Sequence, residues 1–284
     1  MKEKQLKILI ATHKPFSKPE GNFFLPVHVG KSGKEEEYGY QGDDTGDHIS
    51  DKNANFCELT ALYWAWKNLE YDVLGLCHYR RYFDLENKKD SVNDIRFIDE
   101  NELEAYSFSK DKIVEYLKKY DVILPKAKVY ETTLEKEYGY CHSIIDFRIL
   151  TQTIEEIQPE YAKSWNKISC FSNKLMHYNM FIGPKELVNK YCSWLFSILF
   201  EVEKKVKISP YKYDQRVFGF MAERLMQLYF THNTFNIKHL PVLYVKDEKF
   251  KFKTPSKLMT LLANGYKNFL FFLSIFPRKI KQKW

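Results

Sequence analysis

No apolar run in this 284-residue chain is long enough to cross a bilayer as a helix: the one at residues 269–273 continues past Ser274 only to Phe276. The opening MKEKQLKILIATHK likewise lacks the apolar length of a secretory signal, and its short run is expected to be the first strand. Cysteines are few and odd in number (Cys57, Cys77, Cys141, Cys170, Cys192), with no CxxC pair, so neither a zinc site nor a disulfide framework is indicated. Buried thiols in a reducing compartment are expected instead. The G-x-G-x-x-G fingerprint is missing after the first strand, which weakens a dinucleotide-enzyme reading. No nucleophile motif supports a phosphate-handling hydrolase. Acidic residues are missing from 255–284, which hold six Lys/Arg, whereas the remaining residues carry 38 basic and 37 acidic side chains. The net charge of +7 therefore belongs to the tail, and the body lacks the electrostatic footprint of a nucleic-acid binder.

What is present is a chain 44% hydrophobic and 17% aromatic, enough for one large core with or without a small appendage. Residues 53–83 organise it. Asn55 stands at an N-cap position with Glu58 as capping-box partner, and Phe56, Leu59, Leu62, Tyr63, Trp66 and Leu69 recur at helical spacing. Val73-Leu74-Gly75-Leu76-Cys77 then reads as a strand in the middle of a sheet, ending in His78-Tyr79-Arg80-Arg81. Two arginines leaving a buried parallel strand put cations at the carboxyl edge of the sheet, where open α/β folds bind ligands. An anionic guest is expected.

In chain order, the first strand ends in Thr12-His13-Lys14, where Rossmann-like halves meet a nucleotide. Residues 16–50 form a long Gly/Pro/Asp/Lys-rich segment with one strand-like piece, LPVHV, and a run GDDTGD. Its carboxylates Asp43, Asp44 and Asp47 are candidates for a divalent cation or, equally, for a solvated turn. YDVLGL and YDVILP, each following a helix, suggest successive helix–strand units of one sheet. In YGYCHSIIDFR, His142 and Asp146 lie one helical turn apart, as an acceptor-binding pair or a hydrogen-bonded surface pair. Residues 178–182 read as a strand, and Gly183-Pro184 opens a long helix from Lys185 to about Lys205. Over residues 213–230 a single helix puts Arg216, Phe220, Glu223 and Gln227 on one stripe, a carboxylate near an arginine, with Asp214 in its first turn. Residues 238–245 read as a last strand. Beyond 255, Leu258, Leu261, Leu262, Tyr266, Phe269 and Phe272 can gather on one side of a helix, with Lys267, Arg278, Lys279, Lys281 and Lys283 nearby. That pattern fits a helix lying in a membrane surface or one packed on the body.

The segments ILIATHK, DDTGDHIS, NFCELTALYWAWKN, LGLCHYRRYF, YDVILP, NMFIGPKELVNKYCSWLFSILFEVE and RVFGFMAERL resemble a bacterial capsular and exopolysaccharide glycosyltransferase family, DUF4422. The resemblance implies a GT-A-like Rossmann-type α/β sheet flanked by helices over residues 1–254; it does not extend to 255–284, which the composition marks as a basic amphipathic tail. It implies transfer of a hexose, galactose in pyranose or furanose form, from a UDP-sugar to a cell-surface polysaccharide unit. A polyprenyl-diphosphate-linked acceptor at the inner face of the cytoplasmic membrane would explain the tail. Thr12, His13, Lys14, Asp44, His78, Tyr79, Arg80 and Arg81 are then expected at the donor, and His142 and Asp146 at the acceptor. Glu223, Asp214 and Arg216 are expected in catalysis, with Glu223 ahead of Asp214 as base. The usual Asp-x-Asp metal motif is replaced here by His78-Tyr79-Arg80, which leaves Mn2+ or Mg2+ dependence open. The competing class is a non-catalytic membrane-surface or polysaccharide-binding protein of the same fold.

Overall fold

Alternation along the first strand decides what each face of the sheet buries. In β1 (Leu6–Thr12), Leu9 and Ala11 join a core on one face, while Ile8 and Ile10 join a second core on the other. The computed structural model describes residues 5–86, 92–246 and 253–275. The strands that follow are β2 (Phe24–His28), β3 (Gln41–Gly42), β4 (Val73–His78), β5 (Arg81–Phe83), β6 (Ile95–Ile98), β7 (Val122–Pro125), β8 (Lys128–Val129), β9 (Lys174–Leu175), β10 (Phe181–Pro184), β11 (Ile237–Leu240) and β12 (Val242–Val245). The helices are α1 (Asn53–Phe56), α2 (Leu59–Asn68), α3 (Glu100–Glu104), α4 (Lys110–Lys119), α5 (Leu134–Cys141), α6 (Ile144–Ile157), α7 (Ala162–Phe171), α8 (Lys185–Glu203), α9 (Val217–His232) and α10 (Lys257–Ile275).

The main sheet runs β11-β7-β10-β4-β1-β2-β3, with β5, β6 and β12 as a branch. Pairing is parallel except where β10 lies antiparallel to β4 and β7, and where β5 reverses against β4 and β12. From β1 the chain moves to β2 and β3 on one side, then crosses to β4 on the other. That reversal opens a crevice at the carboxyl ends of β1 and β4, the place where such sheets bind ligands. The register pairs Ala11 with His78 and Thr12 with His28, so all of these end at one edge. Helices α2 and α5–α9 cover one face around Phe56, Trp165, Phe196 and Phe218, while α3, α4 and the branch cover the other.

Several local expectations are corrected. Asn55 caps nothing: it lies inside α1, donating its side-chain amide to Gln215 O at 2.8 Å, and Glu58 begins α2 without a side-chain cap. Between them Cys57 takes φ 54°, a left-handed value that breaks the helix. YDVLGL and YDVILP do enter one sheet, but β10 separates them. The strand near 178 starts only at Phe181, because Tyr178 and Asn179 have φ 75° and 51°. Residues Asp214–Arg216 form a 3-10 turn ahead of α9, and the last strand is two, β11 and β12, broken at Pro241. His142 and Asp146 do not share a helix, since α5 ends at Cys141 with His142 as its C-cap and α6 begins at Ile144.

Helix α10 is attached with its polar side inward. Lys267 Nζ donates to Val129 O at 3.2 Å, Asn173 donates to Asn268 at 2.9 Å, and Lys136 Nζ donates to Ser274 O at 3.2 Å. Leu258, Leu262, Tyr266 and Phe269 are each more than half exposed, and none of the helix is buried. No described helix is long and apolar enough to cross a membrane. Phe276 and the cations from Arg278 to Lys283 lie outside the described residues.

Candidate active site

The tip of β4 is a tight reversal. His78 pairs with Arg81 across it, leaving Tyr79 and Arg80 as the turn residues. This is why two consecutive arginines both reach the crevice. Arg80 lies over the Tyr79 ring at 5.1 Å; Arg81 lies over Tyr178 at 4.5 Å and Tyr244 at 5.1 Å. Both are half-buried, neither has a carboxylate partner among the described residues, and the Nε of each is buried without a hydrogen-bond partner. Partly desolvated cations without a countercharge are costly unless a ligand supplies one.

A compartment of about 440 Å³ opens in front of them, lined by Thr12, His13, His78, Tyr79, Arg80, Arg81, Lys212 and Arg216, with Glu58 as its one carboxylate. The Thr12 hydroxyl is engaged by its own loop, donating to Lys14 O at 2.6 Å. His13 stands edge-on to Tyr79, and partial burial, then the charges of Lys14, Lys34 and Arg80, hold its pKa below 6.5. Lys14 lies over the Tyr79 ring and lines, with Asp99 and Glu100, a further cavity that shares Tyr79 and Arg80 with this one. Asp44 lines neither compartment of the crevice; it folds back against Gly42.

A second compartment of about 280 Å³ adjoins the first and shares Glu58, His78, Arg81 and Arg216 with it. Its wall includes His142, stacked on Phe220 with ring centroids 4.0 Å apart and lowered to about pKa 4 by burial first and the Arg224 charge second. Asp146 and Asp214 line neither compartment. Burial, and then Asp214 nearby, push the Asp146 pKa up against the Ser143 hydrogen bond that lowers it.

Glu223 does enter the second compartment, but as an anchored carboxylate. It accepts from Tyr178 N–H at 2.7 Å, from His177 Nδ1 at 3.1 Å and from Arg224 at 3.1 Å. Burial would raise its pKa; the charge and hydrogen bond of His177, the charge of Arg224 and the Tyr178 amide outweigh that and bring it to about 2. Its arginine is thus Arg224, which also pairs with Glu137 at 2.5 Å, and not Arg216, whose Nε reaches Cys57 Sγ at 3.4 Å. His177 Nε2 meets the Tyr130 hydroxyl at 2.6 Å, so the ring is held between that phenol and the Glu223 carboxylate.

Sequence reasoning did not single out Glu58, His177, Tyr178 or Asn179 for the site. His78 Nε2 donates to Tyr178 O at 2.6 Å, and Asn179 donates its amide to Glu58 at 2.7 Å and to Gly219 O at 3.1 Å. The paired left-handed residues 178 and 179 are the signal of a constrained functional loop, invisible without backbone angles.

The aspartates offered for a cation do not converge. Asp43 accepts from Gly30 N–H at 2.9 Å, Lys31 N–H at 3.1 Å and the Ser50 hydroxyl, while Asp47 accepts from Tyr63. Among the described residues no cluster of three or more His, Cys, Asp or Glu side chains is arranged to hold a metal ion.

Residues 7–234 match a family described as a domain of unknown function, DUF4422. Among solved structures, the apo structure of WbbM, a bifunctional glycosyltransferase, is similar at 30% sequence identity and a TM-score of 0.78, over 88% of this chain and 47% of that one. The chain thus spans about half the length of WbbM. No curated protein is significantly similar to it. The similarity bears out the GT-A-like α/β sheet expected from the sequence.

Proposed function

We propose that this chain, which belongs to the DUF4422 family, is a glycosyltransferase that moves a hexose, galactose in pyranose or furanose form, from a UDP-sugar to a growing polysaccharide unit. One observation carries the reading: half-buried Arg80 and Arg81 face a compartment at the carboxyl edge of the sheet with no carboxylate partner among the described residues. A nucleoside diphosphate supplies the missing charge, and paired guanidinium groups bind such oxygens with charge-assisted, bidentate geometry. Lys212 and Arg216 add to the field, and Thr12 and His13 flank the nucleoside end. The adjoining compartment, with aromatic Tyr213, Phe220 and neutral His142, suits the flat apolar face of an acceptor sugar. The similarity to WbbM supports the reaction class.

As the diphosphate departs, the arginines stabilise the charge that develops on it, which is where preorganised cations lower a barrier. We further assign the acceptor as lipid-linked, through a polyprenyl diphosphate, and the enzyme as bound to the inner face of the cytoplasmic membrane. The outward apolar face of α10 and the basic residues beyond it support this. The test is UDP release from a panel of UDP-sugars including UDP-galactopyranose and UDP-galactofuranose, with and without a chelator. Release with at least one donor is expected; none with any donor leaves the non-catalytic binding protein as the better reading.

A further inference from the structure

The two compartments meet at a seam, and the acceptor hydroxyl must lose its proton there. We infer that Glu58 is the catalytic base of this site, an assignment that rests on the glycosyltransferase reading above. Three carboxylates line the crevice among the described residues, and only Glu58 lines both compartments. The other two are engaged: Glu137 pairs with Arg224, and Glu223 holds Tyr178 N–H, His177 and Arg224. A carboxylate whose oxygens already accept from three donors is a weak proton acceptor. Glu58 uses one oxygen, Oε1, to accept from Asn179, while Oε2 accepts no hydrogen bond among the described residues.

The support behind Glu58 is rigid. Asn179 is 2% exposed, sits in the left-handed region at φ 51°, and is fixed by its second bond to Gly219 O. Such a side chain holds one carboxylate oxygen still and leaves the other directed by it. The groups around Glu58 are His78 and Arg81 from β4 and β5, Cys57 beside it, Arg216 from the turn before α9, and Glu223 with Arg224 on α9. His78 is the one rival base, since its Nε2–H is donated to Tyr178 O and its Nδ1 carries the lone pair.

The step balances as a direct displacement. The acceptor hydroxyl gives its proton to Glu58 as its oxygen bonds the anomeric carbon. The bond from that carbon to the β-phosphate oxygen breaks, and its electron pair leaves with UDP.

With the donor that the wild-type enzyme uses, kcat, the donor KM and UDP affinity are measured for Glu58→Gln, Glu58→Asp and His78→Asn, together with pH–rate profiles and product configuration. Glu58→Gln is expected to lose about 10²–10⁴-fold in kcat, the range of general-base catalysis, while UDP affinity stays within about threefold and the acidic limb of the profile disappears. Glu58→Asp should keep partial activity and that limb. UDP binding certifies that each variant is folded; if Glu58→Gln loses it, the Asp variant decides, and full kcat there with an unchanged limb overturns the assignment. So does a Glu58→Gln enzyme with more than about a tenth of wild-type kcat, or a dead His78→Asn enzyme beside an active Glu58→Gln enzyme. A glycosyl ester on Glu58 would make it a nucleophile, and retained configuration would exclude the direct displacement; either result also overturns the proposal. Absence of UDP release by the wild type from every donor defeats the glycosyltransferase reading itself, and the base with it.

Discussion

Arg81 stacks over two phenol rings and points an unpaired guanidinium into the cleft, so its shape matters as much as its charge. Arg81→Ala and Arg80→Ala are each expected to cost about 2–5 kcal/mol of donor interaction if the contact is desolvated, read as UDP affinity by calorimetry. Lysine should rescue poorly, because an ammonium neither stacks on the rings nor binds bidentately. Wild-type UDP affinity in both alanine variants would remove the arginines from the donor site. Glu223 makes a different prediction, about stability and pH. Its pKa falls from 4.5 to about 2 on folding, so its contribution of about 3 kcal/mol is complete above pH 4.5 and is lost as pH falls towards 2. Glu223→Gln removes that dependence. In urea titrations at pH 7, 5, 4 and 3, the stability gap between wild type and variant should therefore narrow with acid; a constant gap would mean the carboxylate is not held ionised.

At the scale of elements, β4 is the strand on which the site depends, and Gly75 is what lets it lie between β1 and β10. A Cβ there would meet Ile182 Cγ1 at 2.9 Å and the Phe181 carbonyl at 3.1 Å. Gly75→Val is expected to cost about 1–3 kcal/mol through overpacking and to lower the melting temperature by several degrees; an unchanged Tm would show that β10 moves aside freely. The strand itself was legible because both faces are covered, which writes a continuous apolar run into the sequence, and the cations at its tip were legible with it. The body of the helix before it was legible too, since α2 runs Leu59–Asn68, but its start was not. Asn55 and Glu58 have capping-box spacing, but the break at Cys57 comes from a left-handed residue that no local motif announces, and Glu58 faces the cleft instead. The stripe of Arg216, Phe220 and Glu223 was legible, since Arg216 lies over the Phe220 ring at 5.2 Å and shares the second compartment with Glu223. What the spacing did not give is that Glu223 pairs with its neighbour Arg224 while Arg216 turns to Cys57. His177 and Asn179 come from a loop distant in sequence, and their role depended on tertiary packing alone.

For the whole molecule, the deciding feature is which way α10 turns. A terminal helix that completed the core would bury its leucines and phenylalanines; this one binds the body through Thr260, Lys267, Asn268 and Ser274 and leaves Leu262, Phe269 and Phe272 outward. Four such hydrogen bonds contribute about 1 kcal/mol each, the partly exposed Lys267–Glu131 pair adds less, and no residue of α10 is buried, so the core does not depend on the helix. A chain ending at Pro255 is therefore expected to keep its unfolding midpoint within a few degrees and to use soluble acceptor analogues. It should leave vesicles that contain anionic lipid and lose activity on a lipid-linked acceptor. Two effects would act together in the full chain: aromatic burial at the headgroup boundary, and about 1 kcal/mol for each nearby Lys or Arg. They are separable. Serine at Leu262, Phe269 and Phe272 should weaken binding to neutral and anionic vesicles alike, whereas glutamine at Arg278, Lys279, Lys281 and Lys283 should weaken only the anionic case and abolish its salt dependence. If the shortened chain unfolds or aggregates instead, α10 belongs to the core and its outward face needs another explanation; if it stays folded and still sediments with vesicles, the membrane contact lies elsewhere on the body.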